Sequence, residues 1–307
     1  MRCAEAGSQR GAAVILALLS VALAAGLAAA ALGDFGRSLD SVAGRQDQAQ
    51  ARLLARGAVD WARNVLADDF KRTNVDHAKE MWAVRVPPTP VGEGEVGGEI
   101  RDRSGLFNLN NLVPDGKADP VALAQFGRLL ATLGVAPADA GRLAQAVVDW
   151  IGHRADRDDE SGLASSDAHD GSSANGSLLD VAELRFVAGF DEALVHRLTP
   201  FVSALPAPSR INVNTAPAEV LAAVVTDLEL NDARILVAER ERAWFRDLAD
   251  FSARLPPGAQ PPETGLDVRS RHFAIIGRSG FGSAVVRMEV LLDRRETWPT
   301  ILWQRIL

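Results

Sequence analysis

The stretch Ala12–Leu32, AAVILALLSVALAAGLAAAAL, runs for 21 residues without a charge behind an eleven-residue leader that ends in Arg10-Gly11. At about 1.5 Å rise per residue, a helix of that length spans about 30 Å, the hydrocarbon thickness of a bilayer. Three readings fit it. A cleavable secretory signal would use Ala28-Ala29-Ala30 as its small-residue site. A plain anchor would keep Arg2 and Arg10 on the cytoplasmic side. In the third, the leader is cut after Gly11 and the helix continues far past the membrane.

The residues after the run favour the third. Phe35–Phe70 contains no proline, and Leu54, Ala58, Ala62 and Leu66 recur every four residues with Trp61 and Val65 beside them. Arg52, Arg56, Asp60 and Arg63 lie elsewhere around the helix. A single helix over residues 12–70 would be about 88 Å long. Its first half is apolar all round, and its second half carries one stripe that must lie on a domain.

Beyond it, Met81–Val86 and Gly98–Asp102 read as short strands separated by Pro87, Pro88, Pro90 and glycines. Residues 114–265 read as helical: Pro120–Leu133, ended by Gly134, then Pro137–Ile151, Val181–Val187, Asp191–Phe201, Ala218–Val225, Asp232–Arg242 and Phe245–Ala253. Asn108-Leu-Asn110-Asn111 resembles Asn212-Val-Asn214-Thr215, and each precedes a helix pair, so two related helical modules are expected. Asn214 followed by Pro217 reads as a capped helix start. Strands return at Phe273–Ile276, Ser283–Leu292 and Ile301–Ile306, the first two joined by Arg278–Gly282. The helical block therefore interrupts a sheet.

These features together resemble the protein K (GspK) family of minor pseudopilins in type II secretion. The resemblance rests on Gln9-Arg10-Gly11, Phe107–Leu112, Val148-Asp149-Trp150-Ile151, Ala182-Glu183-Leu184 before Gly189-Phe190, and Ile211–Ala216, in family order along nearly the whole chain. It implies an α+β fold: a pilin-like long N-terminal helix packed on a small antiparallel sheet, with a large all-α insert of two SAM-like modules. The expected parts are a prepilin leader (1–11), the transmembrane part of the helix (12–33), the first pilin-like part (34–112), two helical modules (113–205 and 206–265) and the last pilin-like strands (266–307). It also implies processing between Gly11 and Ala12 by prepilin peptidase, residence in the bacterial inner membrane with the body in the periplasm, and contact with the inner-membrane secretion platform. Other minor pseudopilins would be its partners at the pseudopilus tip. Leu16, fifth after the cut, stands where most pilin-like proteins carry a glutamate, and protein K shares that lack. Without the resemblance Leu16 reads as one more lipid-facing residue.

Chemistry is sparse. Asp156, Asp158, Asp159, Glu160 and Asp167 lie in a Ser- and Gly-rich acidic stretch whose carboxylates suit Ca²⁺, a cation that takes 6–8 oxygens. The glycine falls one place late for an EF-hand, and the alternative is a solvated acidic loop. The resemblance places calcium in this region, although the tyrosine expected to end the acidic segment is missing. Asp149 reads as a ligand or, preferably, a helix-end residue. The five histidines show no metal-binding spacing and read as surface residues. Gly277–Phe281 misses the nucleophile elbow at its final glycine. No enzyme is expected.

The alternative is a membrane-anchored helix-hairpin-helix DNA receptor of competence type, suggested by Ile211–Ala216 and the helices after it. Its turn would be Asp227–Asp232, acidic and without glycine, and the chain carries 33 Lys and Arg against 40 Asp and Glu. Removing the leader (Arg2, Glu5, Arg10) moves the net charge from −7 to −8, so no nucleic acid is expected. The one cysteine, Cys3, precedes the apolar run, so the exported part has no disulfide of its own.

Overall fold

The structure, a computed structural model, describes the backbone of residues 6–160 and 176–307, and their side chains except at 6–11, 36, 39 and 153–160. Helix α1 (Ala6–Arg72) is unbroken. Its buried stripe is Ala51, Ala55, Val59, Ala62 and Leu66. The expected stripe is thus half corrected: Leu54 and Ala58 are only half-buried and Trp61 is exposed. A strict four-residue spacing advances about 40° per step around a 3.6-residue helix. The observed steps of four, four, three and four keep one line facing the sheet.

That sheet has five antiparallel strands in the order β1 (Val86–Val91), β2 (Gly94–Asp102), β7 (His272–Phe281), β8 (Ala284–Asp293) and β9 (Thr300–Ile306). β2 and β7 are neighbours through nine residue pairs, from Gly94↔Phe281 to Asp102↔Phe273, although residues 103–271 separate them in the chain. The helical block does interrupt the sheet. α1 lies across it over a core of Trp82, Ile100, Phe273, Ile275, Val286, Met288, Val290 and Leu292. Ser279 Oγ donates to the Ala51 carbonyl at 2.7 Å, and Asp47 accepts from Ser283 N at 2.9 Å, pinning the hairpin to the helix.

Two strand expectations are corrected. Met81–Ala83 is a 3₁₀ turn, and the strand instead runs through Pro87, Pro88 and Pro90. Proline lacks the N–H a ladder needs on both sides, and β1 tolerates three because it is an edge. Likewise Arg278–Phe281 belongs to β7, leaving Gly282-Ser283 as the turn.

The insert begins at β3 (Phe107–Asn108) and continues through α2 (Pro120–Thr132), α3 (Pro137–Glu160), α4 (Glu192–Leu198), β4 (Val202–Ser203), β5 (Ile211–Asn212), α5 (Ala218–Val224), α6 (Leu230–Arg240), α7 (Leu248–Ala253) and β6 (Leu266–Asp267). Short parallel ladders join β3 to β4 and β5 to β6. Asp119 caps α2, with Pro120 in its first turn, and Gly134 follows the helix at φ +87°, where a side chain would be strained. Gly189, at φ +90°, has no room either: a Cβ there would lie 2.7 Å from Leu143. One apolar core runs from Phe107 and Phe126, stacked at 5.6 Å, to Phe245 and Phe251, edge to face at 5.0 Å. Val181–Phe186 is 3₁₀ rather than α. α5 starts at Ala218 with no side-chain cap, correcting the expected cap at Asn214.

Candidate assembly surfaces

Among the described residues, every residue of α1 from Ala12 to Phe35 is exposed. Within residues 12–72 the helix has a mean hydropathy of 2.5 over its most apolar 18 residues, none of them buried, which is enough by length and composition to cross a membrane. Ala12 and Leu16 lie on it, and Leu16 is 62% exposed. Gly11 lies on the same helix, with its surroundings outside the described residues. The first charges, Asp34 and Arg37, pair with each other one turn apart.

Where α1 reaches the sheet, an apolar cavity of about 650 Å³ opens between the helix and the β1–β2 hairpin. Its rim carries Leu53, Trp61, Met81, Val84 and Val91, with Trp61 55% and Met81 75% exposed. The floor is rigid: Trp82 packs edge-on to Phe273 at 5.2 Å and donates its indole N–H to Glu80 at 2.7 Å. Large apolar side chains left in solvent around one groove mark a protein interface.

The end of α1 is tied by ion pairs to Arg294, just after β8, and through it by hydrogen bonds to the returning insert. Arg294, with a side chain only 1% exposed, donates to Asp69 at 2.8 Å, to Asp76 and to the Ser270 carbonyl at 2.9 Å, and lies over the Phe273 ring. Burial, with Glu80 and Asp76 nearby, pushes Asp69 up to about 7 despite its Arg294 hydrogen bond. Among the described residues, Asp69, Asp76 and Glu80 are the one acidic group close enough to share a cation. Arg294 already supplies that cation. Asp102 accepts from Thr215 and Ser270, and burial raises it to about 6.

The asparagines at 108 and 110 and those at 212 and 214 do parallel work in the insert. Asn110 Nδ2 donates to the Leu178 carbonyl at 2.9 Å while its Oδ1 accepts from Leu178 N at 2.8 Å. Asn214 treats Phe245 the same way, at 2.9 and 2.8 Å. Asn108 and Asn212 hold these residues in place by accepting from the N–H of Asn110 and Asn214 at 3.2 and 2.8 Å. Each amide thus replaces a peptide partner for a buried main chain. The gripped segments also repeat: Leu178–Leu184 reads LLDVAEL and Phe245–Phe251 reads FRDLADF. In each, an Asp caps a turn and the acid three residues later accepts from the N–H just before that Asp. This second repeat was legible as shared Asp, Ala, acid and apolar spacing, but the sequence reading missed it.

Trp150 packs partly buried on the insert core, and Asp149 is exposed beside Gln145. The backbone of α3 is helical through Glu160, so Asp149 sits within the helix rather than at its end. The side chains of Asp156, Asp158, Asp159, Glu160 and the whole of Asp167 lie outside the described residues.

His272 corrects the expectation of surface histidines: it is fully buried, with both ring nitrogens unpartnered. Burial, with Arg271 and Arg295 nearby, lowers it to about 4, and Asp293 only partly opposes this. The unfolded chain therefore binds the extra proton first, and folding loses about 3 kcal/mol from this group as pH falls from about 6.5 to 4. Asp69 and Asp102, raised when folded, act with the opposite sign as pH falls. The parent chain's profile is thus partly cancelled. Urea unfolding of His272→Leu against the parent at pH 7 and pH 4.5 isolates the histidine. The variant is expected to gain relative stability at the lower pH, and a constant difference would refute the assignment.

A long stem, bare and apolar in its first half and laid on an antiparallel sheet in its second, defines a pilin-like subunit, here enlarged by a helical insert. Residues 105–207 and 211–269 match two family models, both described as type II secretion system (T2SS), protein K. The chain is 34% identical to type II secretion system protein K of Pseudomonas aeruginosa, over 93% of this chain and 88% of the relative. It is 33% identical to that of Klebsiella pneumoniae, over 94% and 93%. The chain belongs to the type II secretion system protein K family, a family of structural pseudopilins. A crystal structure of the GspK-GspI-GspJ complex from enterotoxigenic Escherichia coli matches it with TM-score 0.70 and 27% identity, over 86% of this chain and 98% of that one. The DNA-receptor alternative finds no support in these comparisons.

Proposed function

We propose that this chain caps the tip of the periplasmic pseudopilus in complex with other minor pseudopilins, supporting protein export across the outer membrane. The observation that carries this reading is where the insert lies. Residues 103–271 leave and rejoin the sheet between β2 and β7 at the end where Asp76 N bonds Val268 and Arg294 holds Asp69. That is the C-terminal end of α1, away from the apolar run. A subunit stacked above would meet the insert, and close-packed interfaces leave no space to accommodate it. At the tip there is no subunit above. Leu16 agrees, since the chain has no carboxylate there for a neighbour's terminal amine. The stem sits in the bacterial inner membrane, is cut after Gly11 by prepilin peptidase, and meets the secretion platform at its base.

The related GspK is found with GspI and GspJ. We take the corresponding subunits as this chain's partners, with an apolar helix of one of them lying in the Leu53–Trp61 groove, which continues directly from the stem. Residues 34–307 are expected to co-purify with those two subunits. Trp61→Glu is expected to weaken the complex at least tenfold, about 1.4 kcal/mol, without lowering the melting temperature of the isolated chain. Failure to form any complex would overturn the tip reading; unchanged affinity would remove the groove from it. In cells, Gly11→Leu is expected to leave the leader uncut, and normal processing would return Ala12–Leu32 to an ordinary anchor.

A further inference from the structure

The two edges of the sheet are treated differently. β1 carries three prolines in six residues, so most of its outer row cannot donate to another strand. β9, TILWQRI, has neither proline nor glycine, and six of its seven residues are exposed. Ile301, Leu302, Ile306 and the following Leu307 are apolar and open to solvent. Its one charge, Arg305, is turned onto the sheet face, where it pairs with Glu289 at 2.7 Å and Asp180 at 2.6 Å. β9 itself places no second charge along the edge.

The register identifies which backbone groups are free. Leu307 N donates inward to the Arg287 carbonyl at 2.9 Å, and Arg305↔Glu289 and Trp303↔Leu291 follow in step. In an antiparallel ladder alternate residues bond inward, so the N–H and C=O of Gln304 and Ile306 point out from the edge. The irregularity between Leu291 and Leu292 leaves Leu302 as the extra residue and confines the regular edge to Trp303–Ile306.

We propose that this edge receives an extended strand from a partner subunit of the same assembly, joined through the outward groups of Gln304 and Ile306. The inference rests on the reading of the chain as an assembling, membrane-stemmed subunit. A second copy paired antiparallel through this same edge is excluded by geometry. Two antiparallel β9 strands would be related by a twofold axis normal to the sheet, which reverses α1, and two reversed stems cannot enter one membrane from the same side. The occupant is therefore a different chain, offering an uncharged, apolar strand to the side chains beside this edge. It engages the sheet at the opposite edge from the Leu53–Trp61 groove, so the two candidate partners take one edge each.

The test uses hydrogen exchange on residues 34–307, alone and in complex with the two partner subunits. The amides of Gln304 and Ile306 are expected to exchange at least tenfold more slowly in the complex. Gln304→Pro removes one outward donor while sparing the β8–β9 ladder, and Gln304→Ala keeps it. The proline variant is expected to weaken the complex at least tenfold, with the alanine variant within twofold of the parent and both melting alike. A complex that forms with these amides unprotected, or in which both variants behave alike, overturns the strand proposal and leaves the tip reading intact. Absence of any complex overturns both. Protection that grows with the concentration of the chain alone, with a dimer seen by light scattering, would assign the edge to a second copy and overturn the proposal.

Discussion

Arg294→Ala is expected to destabilise residues 34–307 by about 3–5 kcal/mol in urea unfolding, the loss typical of breaking a buried ion pair from one side. The reason is what remains behind. Asp76 and Glu80 are buried, Asp69 is half-buried within reach of both, and Arg294 is the cation that offsets them. Without it they must take up protons or stay charged in a poorly solvated pocket. The same side chain joins three parts of the chain: the end of α1, the loop at Asp76 and the Ser270 carbonyl where the insert returns. Its loss is therefore expected to loosen the insert from the sheet, seen as faster exchange of the Ser270 and His272 amides. Arg294→Lys, which keeps the charge but loses the fork, is expected to recover only part of the stability. A loss below about 1 kcal/mol for the alanine variant would show that the cluster does not depend on this cation.

Asn110→Asp is expected to cost about 3 kcal/mol or more, and Asn110→Ala about 2–3 kcal/mol. Asn110 Nδ2 donates to two buried carbonyls, those of Leu178 and Leu205, at 2.9 and 2.8 Å. Aspartate keeps the acceptor for Leu178 N but sets a buried negative charge against both carbonyl dipoles. Alanine leaves the same carbonyls and the Leu178 N–H without partners. The ordering of the two variants separates these effects. If aspartate is tolerated better than alanine at neutral pH, the amide's donor is not what matters. Asn214→Asp is expected to act in the same direction through Phe245 at a smaller cost, because Asn214 Nδ2 donates to the Phe245 carbonyl where Asn110 donates to two.

Much of the fold was legible because its signals are local. A charge-free run long enough for a bilayer, proline positions at helix starts, and alternating apolar residues in Val286–Leu292 depend only on neighbours along the chain. The strand through Pro87, Pro88 and Pro90 was not legible. Proline is allowed there only because β1 is an edge, and a strand's place in a sheet is a property of pairing. The buried stripe of α1 shares Ala62 and Leu66 with the one its sequence suggests but runs through Ala51, Ala55 and Val59 in place of Leu54 and Ala58. Trp61, which looks like core in the sequence, stands exposed on the groove rim. His272 carried no sequence mark of burial at all.

For the candidate surfaces the division is similar. The sequence marked Gly11, Ala12, Leu16 and the paired asparagines, and the family signature carried them in order. It did not mark the groove, the Arg294 cluster or the open edge of β9, because each is assembled from segments far apart in the chain. Arg294 meets Asp69 and Asp76 across more than two hundred residues. By itself, then, the sequence determined that this protein has an apolar stem, a sheet interrupted by helices and the protein K signature, since periodicity and composition are read within single elements. Only the tertiary structure decided which face of the stem is buried, which charges neutralise one another and which sheet edge stays open. Those depend on what long-range packing brings within a few ångströms, where desolvation and hydrogen bonding act.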